Sequence, residues 1–309
     1  MNRRSTRVYS SVFATILLIT AAIHADDSVQ PKPALMTEQA LTEQQARAVQ
    51  KAWADHLGVD AVFENSVGMQ LCVIPPGKFP MGDTSRKIGV VTHSQPFFIS
   101  KHEVTQQDWQ QVMGSADSTP EADAGDRLPA CKINHAEAAE FCRKLTQLER
   151  EAGKLPEGYE YRLPTDAEWE YACRAGTLTA THFGDKLSST QANFDGRRPY
   201  KGAAIGPTLE NTVEVGSYPA NAWGLHDMHG NIGEWCLDYY HKSAKAGVDP
   251  VQLEPGPDRH KTHRLIRGGS FQGPASYCRS ANRYFQRQEA RTQFLGFRPV
   301  LSKLHLSDS

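Results

Sequence analysis

The chain has 309 residues, 39% of them apolar, enough to bury one large core or two modest ones. Its 34 Lys and Arg balance 35 Asp and Glu, so a net charge of −1 implies no polyanion-binding surface and argues against a nucleic-acid partner. Twelve scattered histidines with no H-x-x-x-H or H-E-x-x-H face give a zinc hydrolase little support, while 24 glycines and 18 prolines favour a loop-rich fold.

Arg3, Arg4 and Arg7 precede an apolar run over 12–23, with the small residue Ala25 beyond it. This pattern predicts a signal peptide over 1–25, and hence a secreted or periplasmic protein with no membrane contact after cleavage. The run is short for a span, so an uncleaved anchor is the alternative. Export places Cys72, Cys131, Cys142, Cys173, Cys236 and Cys278 in an oxidising compartment, but their spacing fits no C-x-x-C motif and does not fix a pairing. Residues 26–60 read as a tether containing Pro31 and Pro33, then a spacer helix. Thr42 and Gln45 have capping-box spacing, Ala46, Val49, Trp53 and Leu57 share one face, and Gly58 suits the end.

From Asn65 the pattern changes. Residues 69–74 form a short apolar run stopped by Pro75-Pro76-Gly77 and resumed over 78–82, which predicts two strands around a turn. Residues 96–100 predict another strand. Thr105 caps a helix to about Met113 that stops at Gly114, and Asn134 caps one carrying Phe141, Cys142 and Leu145. Between them, 115–128 is an acidic loop. Thr165 and Glu168 then open a helix that Gly176 closes. Beyond Gly184 only short extended pieces are expected, so something besides regular hydrogen bonding must order this half. Two glycines in Arg267-Gly268-Gly269-Ser270-Phe271 ask for positive φ or close approach. Cys278 follows near Arg279 and Arg283, whose charge would favour a thiolate; the structural alternative is a buried cysteine.

Several blocks occur in one order: Ile74-Pro75-Pro76-Gly77-x-Phe79-x-Met81-Gly82, Lys101-His102-Glu103-Val104-Thr105, Arg162-Leu163-Pro164-Thr165-Asp166-Ala167-Glu168-Trp169-Glu170-Tyr171, Gly224-Leu225-x-Asp227-Met228-x-Gly230-Asn231-x-x-Glu234-Trp235, Arg267-Gly268-Gly269-Ser270-Phe271 and Leu295-Gly296-Phe297-Arg298. Together they resemble the formylglycine-generating enzyme (sulfatase-modifying factor) family. The resemblance implies an α+β, C-type-lectin-like fold with low regular secondary structure over 61–303. It also implies a copper(I) oxidase acting on a Cys-x-Pro-x-Arg segment of a sulfatase through two cysteines.

Matched residue by residue, Ser270 and Cys278 remain as candidate catalytic residues. The first copper cysteine falls on Gly273, the neighbouring His on Pro274, an Asn on Phe294 and a Trp on Gly233. Copper(I) needs both soft thiolates, so the copper site is not expected here. The usual disulfide partners of Cys142 and Cys173 fall on Arg283 and Pro299. Asp227, Gly230, Ile232 and Glu234 match a family calcium site of two carboxylates and two carbonyls, which predicts a structural Ca²⁺. The alternative is that Asp227 caps a turn and Glu234 pairs with an arginine. The combination points to a binding or accessory module for a peptide or protein ligand; the competing reading is an oxidase that makes formylglycine or performs a related oxidation.

Overall fold

The computed structural model describes residues 32–114 and 125–303. The expected signal peptide, and most of the acidic loop, lie outside the described residues. Four α-helices are described: α1 (Glu43–Leu57), α2 (Gln106–Met113), α3 (His135–Glu151) and α4 (Asp166–Arg174). All four open with a capping box. Thr42, Thr105, Asn134 and Thr165 each accept from the backbone N–H three residues on, while the Gln, Asp or Glu at that position reaches back. Gly58 and Gly114 close α1 and α2 in the left-handed conformation.

Strands β1 (Val62–Glu64), β2 (Gln70–Ile74), β5 (Phe97–Ser100), β6 (Tyr159–Arg162) and β12 (Val300–Lys303) form one antiparallel sheet in the order β1-β2-β5-β12-β6. Both of its faces are buried, which is why 71–74 read as an unbroken apolar run rather than an alternation. Leu71, Val73, Phe98 and Leu301 pack with α2 and α3 residues such as Trp109, Phe141 and Leu145. Their neighbours Cys72, Ile74, Phe97, Ile99 and Val300 pack on the other face with Trp169, Tyr171 and Trp223.

The two strands expected around Pro75-Pro76 do form, but they separate into different sheets. The second, β3 (Gly77–Asp83), pairs with β4 (Arg86–His93), to which β8 (Gly247–Val248) adds in parallel. The tether does not stay clear of the domain at its end: Met36 is buried and bridges Gly77, accepting from Lys78 N–H at 2.9 Å. Helix α1 is docked as well. Gln50 Nε2 donates to Val73 O at 3.0 Å and to Trp223 O at 2.9 Å.

The short extended pieces of the second half assemble into a third sheet, β10-β9-β7-β11, from β7 (Gly233–Tyr239), β9 (His263–Arg267), β10 (Tyr284–Arg287) and β11 (Leu295–Gly296). Strand β10 is its outer strand on one side, paired to β9 alone. The ends of β7, β9 and β11, with the loop after β9, frame the candidate site.

Candidate functional site

Helix α4 holds the site from behind. Asp166 and Glu170, one turn apart, both face Arg267 at the end of β9. Arg267 Nε donates to Asp166 Oδ1 at 2.6 Å and Nη2 to Glu170 Oε2 at 2.8 Å, and Nη1 donates to the carbonyls of Ser280 and Asn282. Arg283 Nε donates to Asp166 Oδ2 at 2.7 Å, and Arg174 pairs with Glu170 at 2.8 Å. Burial alone would raise the Asp166 carboxyl, yet the Arg267 and Arg283 guanidiniums hold it below its ordinary value. The dense pattern around Thr165 is therefore a clamp on the loop that follows β9.

Gly268 and Gly269 have φ of +89° and +76°. A Cβ on Gly269 would lie 2.7 Å from Cys278 Sγ, so the paired glycines serve both the turn and the sulfur packed beneath it. Cys278 is fully buried, and burial pushes its thiol up to about 12, only partly offset by the Ser270 backbone N–H. The cationic neighbours expected from sequence are engaged elsewhere: Arg279 with Asp83, Arg283 with Asp166. Of the two readings the sequence left open for Cys278, an arginine-activated thiolate and a buried cysteine, the packing favours the second.

The nearest histidine shows the same logic. His229 Nδ1 donates to Cys278 O at 2.7 Å, while its Nε2 accepts from His182 N–H at 3.1 Å. Both ring nitrogens are occupied, and burial brings its pKa down to about 4. It orders the loop rather than serving as a base.

In front of the Gly-Gly turn opens a cleft of about 190 Å³. Gly233, Ile266, Ser270 and Leu295 are its buried members; Gly269, Gly273 and Phe294 are half-buried, and Tyr277 and Tyr284 are 48% and 47% exposed. Gln272 and Asn282 add the remaining side-chain amides, and no charged side chain lines it. Ser270 is brought to the cleft, but Cys278 is not among its lining residues. Gly273 and Phe294 do lie there, so the positions where the resemblance places a copper cysteine and an Asn carry no sulfur or amide. The residues present do not fit a two-thiolate copper(I) site. A larger groove of about 510 Å³ runs along α3 and β6, edged by Arg143, Arg150 and Glu160; it reaches Cys142, Arg162 and Leu163 but none of the candidate catalytic or calcium residues.

The expected calcium ligands differ in how far they are already engaged. Glu234 is fully buried, and both its oxygens are engaged: Oε2 accepts from Trp169 Nε1 and Arg298 Nε, each at 2.8 Å, and Oε1 from Arg298 Nη2 at 2.8 Å. Asp227 Oδ2 accepts from Gly216 N–H at 2.7 Å, but its Oδ1 is buried without a hydrogen-bond partner. Gly230 has φ +143°, and a Cβ there would lie 2.3 Å from Asn193 O. Among the described residues, no group of three or more His, Cys, Asp and Glu side chains converges as a metal cage.

Sequence reasoning missed Glu103. Its Oε1 accepts from Asn231 Nδ2 at 3.1 Å, while Oε2 is buried and unpartnered. Burial, then the Asp227 charge, pushes its carboxyl well above the usual range. Glu103 sat in the Lys101-His102-Glu103-Val104-Thr105 block, where an acidic residue among positions that fold inward was the available signal.

Residues 61–303 match the model of the sulfatase-modifying factor enzyme 1-like domain. The chain belongs to this family. It is 31% identical over 250 residues to the formylglycine-generating enzyme of Mycobacterium tuberculosis, covering 74% of this chain and 77% of the relative. It is also 30% identical over 210 residues to the chaperone protein LppX of Paenibacillus barcinonensis, covering 57% and 73%. Among solved structures, PvdO from Pseudomonas aeruginosa superposes with a TM-score of 0.63 at 26% identity, covering 79% of this chain and 98% of that one. The α+β fold of the formylglycine-generating enzyme family is thus the fold of this chain.

Proposed function

We propose that this family member is an exported binding or accessory module whose cleft takes a peptide or protein ligand. The observation that carries the reading is the pairing of Gly273 at the cleft with a Cys278 thiol packed outside it. One sulfur is missing and the other is held neutral by burial, so the soft donors that copper(I) requires do not face a substrate. Aromatic and amide side chains line the cleft instead, which is the chemistry of recognition. The relative named as a chaperone, LppX, is compatible with a non-oxidative role in the family. The test is incubation of the full chain with copper(I) and a Cys-x-Pro-x-Arg peptide, read with an aldehyde probe. No aldehyde is expected; copper-dependent aldehyde that Cys278→Ala abolishes overturns the proposal in favour of the oxidase.

A structural calcium ion forms the second part of the proposal. It rests on Asp227, whose buried Oδ1 lacks a hydrogen-bond partner, and on the resemblance that adds the carbonyls of Gly230 and Ile232 and the carboxylate of Glu234 to the same ion. Calcium favours hard oxygen donors of this kind and would relieve the cost of leaving that oxygen unpaired. EGTA should lower the melting temperature of the wild-type chain, and it should leave Asp227→Ala unaffected. An unchanged melting temperature on chelation removes the ion from the account.

A further inference from the structure

We propose that the cleft seats one aromatic side chain, carried by an extended, uncharged peptide segment that adds to the outer edge of β10. This rests on the binding reading above and names its ligand class. The first observation is size. A cavity of roughly 150 Å³ accepts benzene, and this cleft of about 190 Å³ therefore suits one six-membered ring with a little room for its attachment.

The second observation is the chemistry of the walls. Tyr277 and Tyr284 stand with ring centroids 6.0 Å apart and an interplanar angle of 26°, each about half exposed. Large aromatic faces left open to water beside Ile266 and Phe294 gain by covering another apolar ring. No Asp, Glu, Lys or Arg lines the cleft, so a charged occupant would be desolvated there without a partner. That argues against an arginine or a carboxylate entering it. A pyranose is also disfavoured, because its ring of hydroxyls would meet only Ser270, Gln272 and Asn282 among mostly apolar surface.

The third observation makes the ligand a peptide. Tyr284 lines the cleft and is also the first residue of β10, the outer strand of its sheet. Its far end is left to local satisfaction, with Arg287 N–H donating to Gln286 Oε1 at 3.1 Å rather than to a neighbouring strand. A segment pairing along this edge has alternate side chains directed to the same face, one of which would reach the cleft.

The probes are acetyl-Gly-Thr-Phe-Thr-Gly-amide, the same peptide with Ala for Phe, the Cys-x-Pro-x-Arg peptide and methyl glucoside, each titrated calorimetrically into the full chain. The Phe peptide should bind at least about tenfold more tightly than the Ala peptide, from burial of the ring. Tyr277→Ala and Tyr284→Ala, both at exposed positions, should each remove most of that preference while leaving the melting temperature within about 2 °C. Equal binding of the Phe and Ala peptides, no Phe-peptide binding at millimolar concentration, or an undiminished preference in both tyrosine variants overturns the proposal. Tighter binding of methyl glucoside or the Cys-x-Pro-x-Arg peptide than of the Phe peptide overturns it as well. The binding-module reading fails separately, through aldehyde formation.

Discussion

Replacing Glu234 by Gln removes one negative charge from a position where Arg298 is wholly enclosed and, among the described residues, has no other carboxylate at hydrogen-bond distance. Glu234 accepts three hydrogen bonds, from Trp169 Nε1 and from Arg298 Nε and Nη2, each at 2.8 Å. Glutamine supplies one acceptor oxygen and turns an N–H₂ toward donors, so at least one of those bonds becomes a donor–donor contact. Breaking a buried pair by removing one member costs about 3–5 kcal/mol, because the remaining charge stays desolvated. In a domain of this size each kcal/mol moves the melting temperature by about 2–4 °C, so a fall of roughly 10 °C is expected. Differential scanning calorimetry of the wild type and Glu234→Gln, each with excess calcium and with EGTA, separates two roles for this residue. If Glu234 serves Arg298, the variant loses the same amount in both conditions. A loss seen with calcium that vanishes in EGTA would refute the reasoning and return Glu234 to the ion.

Three other expectations follow from the same interior. Burial, then the Asp166 charge, raises the Asp238 carboxyl to about 7. The folded state therefore holds this proton between about pH 4 and 7 while the unfolded state has released it, and the contribution to stability falls as pH rises through that window. In urea titrations from pH 4 to 8, the gap between wild type and Asp238→Asn should shift in the variant's favour as pH rises; a gap independent of pH contradicts it. Cys72, Cys142, Cys173, Cys236 and Cys278 are buried thiols whose pKa values burial raises. Ellman's reagent should react within minutes with none of the five in the native chain and with all of them in guanidinium; fast native labelling of Cys278, traced by mass spectrometry, would restore it as a reactive site. Gly230→Ala places a Cβ 2.3 Å from Asn193 O at a φ of +143°, costing about 3 kcal/mol or more, and a melting temperature within 2 °C of wild type would show that this loop yields.

What could be read from the chain depended on the sequence distance of the cause. All four helix starts were legible because each capping box lies within four residues, as at Thr165 and Glu168. The continuous apolar run at 71–74 was equally legible, since burial on both faces leaves no alternation. Strand β12 was not, because its place between β5 and β6 is set by residues far away in the chain, Val300 opposite Ile99 and Arg162. The same limit governed the site. Gly268 and Gly269 announced an unusual turn, but the sulfur that needs them lies nine residues further on from Gly269. Neighbouring arginines suggested an activated Cys278, yet Arg279 and Arg283 point to Asp83 and Asp166, 196 and 117 residues away in sequence. Glu234 was left between a calcium ion and an arginine for the same reason: the arginine it pairs with is 64 residues distant.

The loop after β9 is held from its rear by Arg267, through Asp166, Glu170 and two carbonyls, by His229 on the Cys278 carbonyl, and by backbone bonds to Asn231, Asp195 and Arg198. The side chains that face the cleft take no part in that hold. Gly273, Tyr277, Tyr284 and Phe294 can therefore vary without unfastening the loop that carries them, much as tools are exchanged on a fixed mount. A library randomised at these four positions should remain largely folded and yield variants selective for different side chains, whereas one that includes Asp166, Glu170 or Arg267 should be lost to misfolding. A family with one scaffold and divergent chemistries is what such a division between mount and working face would allow.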